Sequence, residues 1–174
     1  MSNYSFEGLQ PKISASAYVH PSAVIIGDVV IDEGCYIGPG ASLRGDFGRI
    51  IMKRDANLQD NCVVHGTIGS ETVICSRAHI GHGAVVHGCM LEQDVLVGMN
   101  AVVMDESVIG ACSIIGSCAM VKAHFTCAPS SLIMGMPAKV VRSLTASEIE
   151  NKRQATQRYI DLAQRSLKSM KLCQ

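Results

Sequence analysis

Three of the six histidines, His65, His82 and His87, carry the most specific chemical pattern in this chain of 174 residues. Imidazole nitrogens bind Zn²⁺ at about 2.0–2.1 Å, and a site with three protein ligands keeps its fourth position open. Water bound at that position has its pKa lowered to about 7, which makes it a nucleophile at neutral pH. Fe²⁺ and Co²⁺ also suit imidazole ligands. We therefore interpret these histidines as ligands of a catalytic metal ion, which the fold must bring together.

An apolar residue recurs at every sixth position along most of the chain, which predicts an all-β solenoid whose coils bury their apolar faces against one another. Six residues at about 3.3 Å each form one strand with its corner, so three faces close a coil. The spacing widens to nine residues after Leu43 and to ten after Val64, which predicts loops at 46–48 and 67–72. The repeat occupies Ile13, Val19, Ile25, Ile31, Ile37, Leu43, Met52, Leu58, Val64, Ile74, Ile80, Val86, Leu91, Val97, Val103, Ile109, Ile115 and Val121.

This frame places the histidines in two columns. Arg44, His65 and His87 each follow an inward apolar residue, and their separations of 21 and 22 equal a coil of 18 residues plus a loop. His65 and His87 should therefore be neighbours at about 4.8 Å, the spacing between strands. Asp60 and His82, also 22 apart, form a second column on another face. A threefold trimer would press one column against the other, which completes the site and pairs Arg44 with the partner subunit's Asp60.

Composition restricts the classes of protein to consider. The 15 basic and 15 acidic residues cancel, and no basic stripe marks a surface for nucleic acid or for membrane lipid. No apolar run approaches the about 20 residues of a membrane span, and the N-terminus lacks the features of a signal peptide. The eight cysteines include no Cys-x-x-Cys pair, which favours buried free thiols in a reducing compartment. We expect a cytoplasmic protein.

The repeat ends before the C-terminus, so we predict two parts. Residues 1–128 form the β-helix, and residues 129–174 hold a connecting loop over 129–141 and a helix packed along the solenoid. Thr145 and Glu148 have the spacing of a capping box, and a helical apolar pattern continues to about Met170. A helix of about 25 residues spans about 38 Å, enough to lie along much of the solenoid.

The motifs around these positions resemble those of the γ-class carbonic anhydrase family: Arg44-Gly-Asp46, Gln59-Asp60-Asn61, His65, and the five-residue step from His82 to His87. The resemblance implies a left-handed parallel β-helix of hexapeptide repeats with a C-terminal α-helix, assembled as a homotrimer. It implies that His65 and His87 of one subunit bind zinc together with His82 of the next. Gln59 would orient the metal-bound water, with Arg44 as a further catalytic residue. The interface ion network would consist of Arg44, Asp46 and Asp60.

Three longer segments, 42–50, 80–88 and 96–105, look like a branch of this family that contains the phenylacetate-degradation protein PaaY and the carnitine operon protein CaiE. PaaY-type proteins are associated with hydrolysis of coenzyme A thioesters, and CaiE-type proteins have been regarded as accessory factors. Tyr159 matches a tyrosine of the family's terminal helix, which implies a third catalytic residue. The leading prediction is a zinc-dependent acyl-coenzyme A thioesterase of phenylacetate or related catabolism that acts by metal-bound hydroxide.

One departure from the prototype carbonic anhydrases favours thioester over CO₂ as substrate. The prototypes carry a glutamate and an acidic loop that serve proton transfer, whereas this chain has Phe47 and a short 67–72 loop with only Glu71. A carbonic anhydrase with a substitute relay through Tyr159 or Glu71 stays open as an alternative. A second open alternative is a CaiE-like accessory protein, in which zinc only holds the subunits together at their interface.

A further alternative is a hexapeptide acyltransferase, because Met-Gly-Met-Pro-Ala-Lys at 134–139 resembles a turn common in those enzymes. They typically use one histidine as base and no metal. The remaining histidines have no column partners, and we expect them to be structural or solvated: His20, His79 and His124.

Overall fold

The computed structural model describes residues 2–173 as a parallel β-solenoid of about seven turns, followed by one helix. This architecture confirms the predicted left-handed β-helix of hexapeptide repeats with a C-terminal helix. The strands are β1 (Ser2–Tyr4), β2 (Lys12–Ile13), β3 (Tyr18–Val19), β4 (Val24–Ile31), β5 (Tyr36–Ile37), β6 (Ser42–Met52), β7 (Asn57–Leu58), β8 (Val63–His65), β9 (Glu71–Ile74), β10 (His79–Ile80), β11 (Val85–His87), β12 (Met90–Leu91), β13 (Leu96–Val97), β14 (Val102–Val103), β15 (Val108–Ile109), β16 (Ile114–Ile115), β17 (Met120–Val121), β18 (Thr126–Cys127), β19 (Ser131–Gly135) and β20 (Ala138–Ser143).

The strands stack into two sheets. The larger has the order β17-β14-β11-β8-β6-β9-β12-β15-β18, with β1, β2 and β4 beside it. Strand β6 pairs with β8 at one end and with β9 at the other, so this sheet covers two faces of the solenoid. The smaller sheet, β20-β19-β16-β13-β10-β7-β5-β3, forms the third face. Because every coil passes through all three faces, residues one coil apart stack in columns.

The inward apolar residues set the register between coils. Leu43 pairs with Val64, and Val64 pairs with Val86. All three side chains are fully buried in the core, as the six-residue repeat predicts. A slip of one residue would turn these side chains outward, so burial specifies the pairing strongly.

Of the two expected loops, one is present and the other is part of a continuous strand. Residues 66–70 leave the sheet between β8 and β9, which confirms a loop after Val64, although Glu71 and Thr72 of the predicted range belong to β9. The loop expected at 46–48 is wrong, because β6 runs without interruption from Ser42 to Met52. Strand β4 follows the same path on the preceding coil, and its pairing with β6 shifts register after Gly27. The extra residues are therefore absorbed as an irregularity within a paired strand.

The segment 129–141 is not the connecting loop that we expected. Strand β19 pairs in parallel with β16 and extends the third face, and β20 folds back on it as an antiparallel hairpin. Ile133, which lies 18 residues after Ile115, is fully buried in the core. The solenoid therefore continues past the predicted boundary at 128, since the repeat also continues through Cys127 and Ile133.

Helix α1 (Ala146–Ser169) begins at the predicted capping box, in which Thr145 and Glu148 bond each other's backbone amides. It packs on the third face against β3, β5 and β7. Its buried Lys152 donates hydrogen bonds to the Arg77 carbonyl at 2.9 Å and to the Asp94 carboxylate at 3.0 Å. These contacts tie the helix to the solenoid. Within residues 2–173, no helix is both long enough and apolar enough to span a membrane.

Candidate metal centre

His65 and His87 lie side by side on neighbouring coils, as their shared column predicts. They are directly paired residues of β8 and β11. Nδ1 of His65 is 3.2 Å from Nε2 of His87. Two nitrogens bound at 2.0–2.1 Å to one tetrahedral ion lie about 3.3–3.4 Å apart. The two rings are therefore spaced as two ligands of a single metal ion.

The outer nitrogen of each ring faces a carboxylate. Nε2 of His65 is 2.9 Å from Oδ1 of Asp46, and Nδ1 of His87 is 2.7 Å from Oδ1 of Asp105. Histidines that bind metals usually donate their second N–H to a carboxylate or a carbonyl, which sets the tautomer and the ring orientation. The donor set thus fits an imidazole-bound ion such as Zn²⁺.

Asp105 was missed by the sequence analysis. It lies 18 residues after His87, one full coil further along the same face. The column rule that aligned the histidines could have identified it, because an acidic residue one coil away from a histidine lies within reach of its ring. Gly88 keeps this contact open, because a Cβ there would lie 2.2 Å from Oδ1 of Asp105.

Asp46 links the histidine pair to Arg44. Its second carboxylate oxygen accepts a hydrogen bond from the Arg44 guanidinium at 2.8 Å. Burial opposes ionisation of Asp46, but the hydrogen bond from His65 and the charge of Arg44 outweigh it and lower the pKa of this carboxyl group. Asp46 is thus an ionised acceptor that can hold the His65 ring. Arg44 and Asp46, two members of the predicted interface network, thus contact each other within one chain.

His82 lies apart from this pair. Its half-exposed ring has Nδ1 3.7 Å from Oδ1 of Asp60 and Nε2 3.5 Å from the hydroxyl of Tyr159. Among residues 2–173 of a single chain, no three histidine, cysteine or acidic side chains are grouped closely enough to hold a metal ion. The predicted centre, in which His82 of one subunit joins the His65–His87 pair of the next, stays a prediction.

The predicted ion pair between subunits concerns Arg44 and Asp60, which do not contact each other within the chain. Their side chains are each 44% exposed. Both can therefore reach a neighbouring subunit without first being uncovered. The pair between Arg44 and the partner subunit's Asp60 stays a prediction.

Gln59 is buried and bonded to two side chains of the third face. Its amide nitrogen donates to Oδ1 of Asn57 at 3.1 Å and to Nε2 of His79 at 2.8 Å. In the described part of the chain its side-chain oxygen Oε1 makes no hydrogen bond to protein. That oxygen can therefore accept a hydrogen bond from a water or a substrate, which suits the orienting role predicted for Gln59.

Helix α1 brings Tyr159 to the edge of the site. The ring packs edge-on against Tyr36 and His79, with centroids 5.5 Å and 5.2 Å away. These contacts aim the hydroxyl at Nε2 of His82, 3.5 Å away. Burial raises the pKa of Tyr159, so the group is a protonated donor at neutral pH. On the other column, the ring of Phe47 is 54% exposed and lies 5.3 Å from that of His65.

The other three histidines have local partners. His20 bonds to Ser22 at 2.8 Å, and His124 is an exposed partner of Glu106. His79 is buried beneath α1. Burial and the nearby positive charge of Lys152 lower its pKa to about 4. Its role is therefore structural, and the alternative that it is solvated is wrong because the helix covers it.

Comparison with known proteins places these features in a family. The family model described as "Bacterial transferase hexapeptide (six repeats)" matches residues 10–45. The chain is 50% identical to the carnitine operon protein CaiE of Escherichia coli over 165 residues, which cover 95% of this chain and 84% of that protein. It is 52% identical to CaiE of Citrobacter koseri over 170 residues, covering 98% and 86%. These relatives support the CaiE side of the predicted branch.

Solved structures agree with this placement. The fold matches a putative acetyltransferase of Bacillus cereus with a TM-score of 0.94 and 29% identity, over 96% of this chain and 97% of that one. It also matches a hexapeptide transferase family protein of Anaplasma phagocytophilum with a TM-score of 0.90 and 33% identity, over 93% and 96%. The chain therefore belongs to the hexapeptide-repeat family, within the branch of the carnitine operon protein CaiE.

Proposed function

We propose that this protein is a metal-dependent acyl-coenzyme A thioesterase that works as a homotrimer, with each metal site shared by two subunits. The observation that carries the proposal is the His65–His87 pair, whose facing nitrogens are 3.2 Å apart and whose outer nitrogens face Asp46 and Asp105. The carboxylates hold the two rings with these nitrogens toward each other. The two rings would bind Zn²⁺, Fe²⁺ or Co²⁺ together with the partner subunit's His82.

The ion would supply an acidified water and a positive charge that polarises the substrate carbonyl. The chain's own residues orient the reactants. The free carbonyl oxygen of Gln59 accepts a hydrogen bond from the attacking water. The Tyr159 hydroxyl donates to the carbonyl oxygen as negative charge develops there, which is a large contribution in acyl transfer. Because thiols are acidic, with pKa values near 8.5, coenzyme A leaves without a strong general acid.

Two features favour a thioester over CO₂. Rapid hydration of CO₂ requires a proton relay, and the residue after Asp46 is Phe47, whose ring cannot carry a proton. That ring lies beside His65, at 5.3 Å between centroids, and presents an apolar wall. An acyl substrate can bury carbon atoms against this wall, whereas CO₂ gains little from it.

The test is thiol release from a panel of acyl-coenzyme A thioesters by the zinc-loaded protein. The comparison variants are His82→Ala, which removes a proposed ligand, and His124→Ala, which removes an exposed histidine paired with Glu106. We expect release by the wild type and by His124→Ala, and loss of at least about a hundredfold in His82→Ala. Trimer content and bound zinc are measured in the same samples. No thiol release from any thioester would overturn the proposal.

A second candidate is an acyltransferase, favoured by the Bacillus cereus relative, which is described as a putative acetyltransferase and has nearly the same fold. Such an enzyme needs an acceptor, so free thiol would appear only when an amine or alcohol acceptor is added, with an equal amount of acylated acceptor. The three-histidine arrangement disfavours it, because one histidine is sufficient as base. Thiol release without an acceptor would exclude it as the main activity.

An accessory role is the third candidate, since the relatives are named after a carnitine operon and their name states no reaction. In that case the metal would only hold the subunits together. A His82→Ala protein that stays trimeric and fully supports growth on the substrate of its pathway would favour this role over catalysis.

A further inference from the structure

A cavity of about 360 Å³ lies between helix α1 and the third face of the solenoid, directly beside His82. Its roof is formed by Ala155, Arg158 and Tyr159 of the helix. Its walls and floor come from the coils below: Gln59, His79, Gly81, His82, Leu96, Val97, Gly98, Met99 and Ser117. The cavity therefore adjoins the proposed centre from the His82 side.

Part of the cavity floor is bare backbone. Gly81 and Gly98 line it on successive coils, and a Cβ on either would lie 2.9 Å or less from backbone atoms of the next coil. Close stacking of the coils thus requires glycine at both positions. The side chains that flank the gap, Leu96 and Met99, are apolar, and the helix residue above it is the small Ala155. The space is consequently shaped for carbon atoms.

Gln59 contributes a polar side-chain amide to the lining of this cavity. The residue is only 3% exposed, and both hydrogen bonds of its amide nitrogen go to protein, to Asn57 and His79. The side-chain oxygen Oε1 accepts no hydrogen bond from any described residue. Because Gln59 lines the cavity, this oxygen is an acceptor that a donor within the cavity can reach. The exposed guanidinium of Arg158 adds a positive charge on the helix side.

We propose that this cavity binds the acyl group of the substrate, with the thioester next to His82 and Gln59 and the coenzyme A phosphates toward Arg158. The inference rests on the proposed function and names its substrate class. Ligand pockets range over about 300–1,000 Å³, so this cavity is at the small end. We expect it to enclose a short acyl chain such as butyryl, whereas a palmitoyl chain is too long to be enclosed.

The test fills the cavity without changing any residue that we propose to bind the metal. Ala155→Leu adds an apolar side chain from the roof, and Gln154→Leu adds the same side chain on the exposed face of the helix as a matched control. The probe is S-butyl-coenzyme A, a thioether that cannot be hydrolysed, and binding is measured by calorimetry. We expect Ala155→Leu to weaken binding by about tenfold or more, the scale of a methylene-sized change in an apolar pocket. Gln154→Leu should bind as the wild type does.

Binding of the thioether separates this inference from the proposed function. If Ala155→Leu and wild type bind the thioether equally, the acyl site is overturned, whatever the protein hydrolyses. If binding is lost in Ala155→Leu but butyryl-coenzyme A releases no thiol, the cavity binds acyl groups and the hydrolase proposal fails. A third outcome supports both the acyl site and the hydrolase function. In that case thiol is released from butyryl-coenzyme A but much less from palmitoyl-coenzyme A, and Ala155→Leu selectively raises KM for butyryl-coenzyme A.

Discussion

The amide nitrogen of Gln59 donates a hydrogen bond to Nε2 of His79 across 2.8 Å, beneath helix α1. The opposite ring nitrogen of His79 lies 3.5 Å from the Thr156 hydroxyl, which itself donates to the Lys152 carbonyl. The same ring nitrogen also lies 3.3 Å from the amide nitrogen of Asn57. Because amide nitrogens only donate, a neutral imidazole, which keeps an acceptor nitrogen, fits this site better than a protonated ring. His79 thus connects the helix to Gln59 and holds the Gln59 carbonyl free for a ligand.

This arrangement predicts a pH dependence of stability. The folded pKa of His79 is about 4, below the usual 6.5, so the unfolded chain binds the proton more readily. Stability due to neutral His79 is complete above pH 6.5 and is lost as the pH falls toward 4, by about 2 kcal/mol between pH 7.5 and pH 5. Lys152, His82 and Tyr159 surround the ring. Urea unfolding of wild type and His79→Gln at a fixed protein concentration measures the difference.

In that experiment the wild type should lose more stability on acidification than His79→Gln does. Carboxyl groups titrate in both proteins and cancel in the comparison. Parallel curves for the two proteins would contradict the burial of a neutral His79.

Asp105 should control metal affinity through His87. Asp105→Asn keeps the size of the side chain but weakens its hydrogen bond to Nδ1, and loss of such a partner typically costs about 10–100-fold in affinity. Zinc competition against a chelator measures the change. Glu106→Gln, which alters the exposed partner of His124, serves as the control. An unchanged zinc affinity in Asp105→Asn would argue against His87 as a ligand.

Arg44 and Asp60 should act as a pair across the trimer interface. We expect Arg44→Met and Asp60→Asn each to weaken trimer assembly. The double variant should lose less association free energy than the two single losses added together, and the difference should be a coupling energy of about 0.5–3 kcal/mol. Sedimentation at several concentrations gives the association constants of the wild type and the three variants. Arg54→Met, which breaks an exposed pair with Glu33 within one chain, should leave assembly unchanged. Strict additivity of the two substitutions would mean that they do not meet.

Lys152 should anchor the helix. Its side chain is 1% exposed and bonded to Asp94, and removal of one partner from a buried ion pair is strongly destabilising. Because Arg77 and Arg153 also face Asp94, we expect Lys152→Met to lower the free energy of unfolding by about 2 kcal/mol. Lys168→Met in the exposed last turn is the control. Equal urea midpoints for the two variants would show that the anchor contributes little.

Tyr159→Phe should separate the contribution of the hydroxyl to catalysis from the contribution of the ring to packing. The phenyl ring keeps its contacts with Tyr36 and His79, so stability should change by less than about 0.5 kcal/mol. Loss of the hydroxyl beside His82 should lower kcat for thioester hydrolysis by about tenfold or more while KM changes little. A fall in stability without a fall in kcat would assign Tyr159 to packing alone.

The six-residue period alone was enough to predict the solenoid and the pairing of coils. Leu43, Val64 and Val86 must all be buried, and that requirement leaves one register. Everything that follows from register was therefore predictable, including the contact between His65 and His87. The start of α1 was predictable as well, because a capping box involves only Thr145 and Glu148.

What the sequence could not determine is which outward-facing side chains become covered. His79 and His82 lie three residues apart, yet the helix buries the first and leaves the second half-exposed. That difference depends on where α1 lies, and the position of α1 depends on contacts such as Lys152 with Asp94, which are 58 residues apart. Local periodicity thus determined the columns, whereas long-range packing of the helix decided the cavity, the partners of Gln59 and the environment of each histidine.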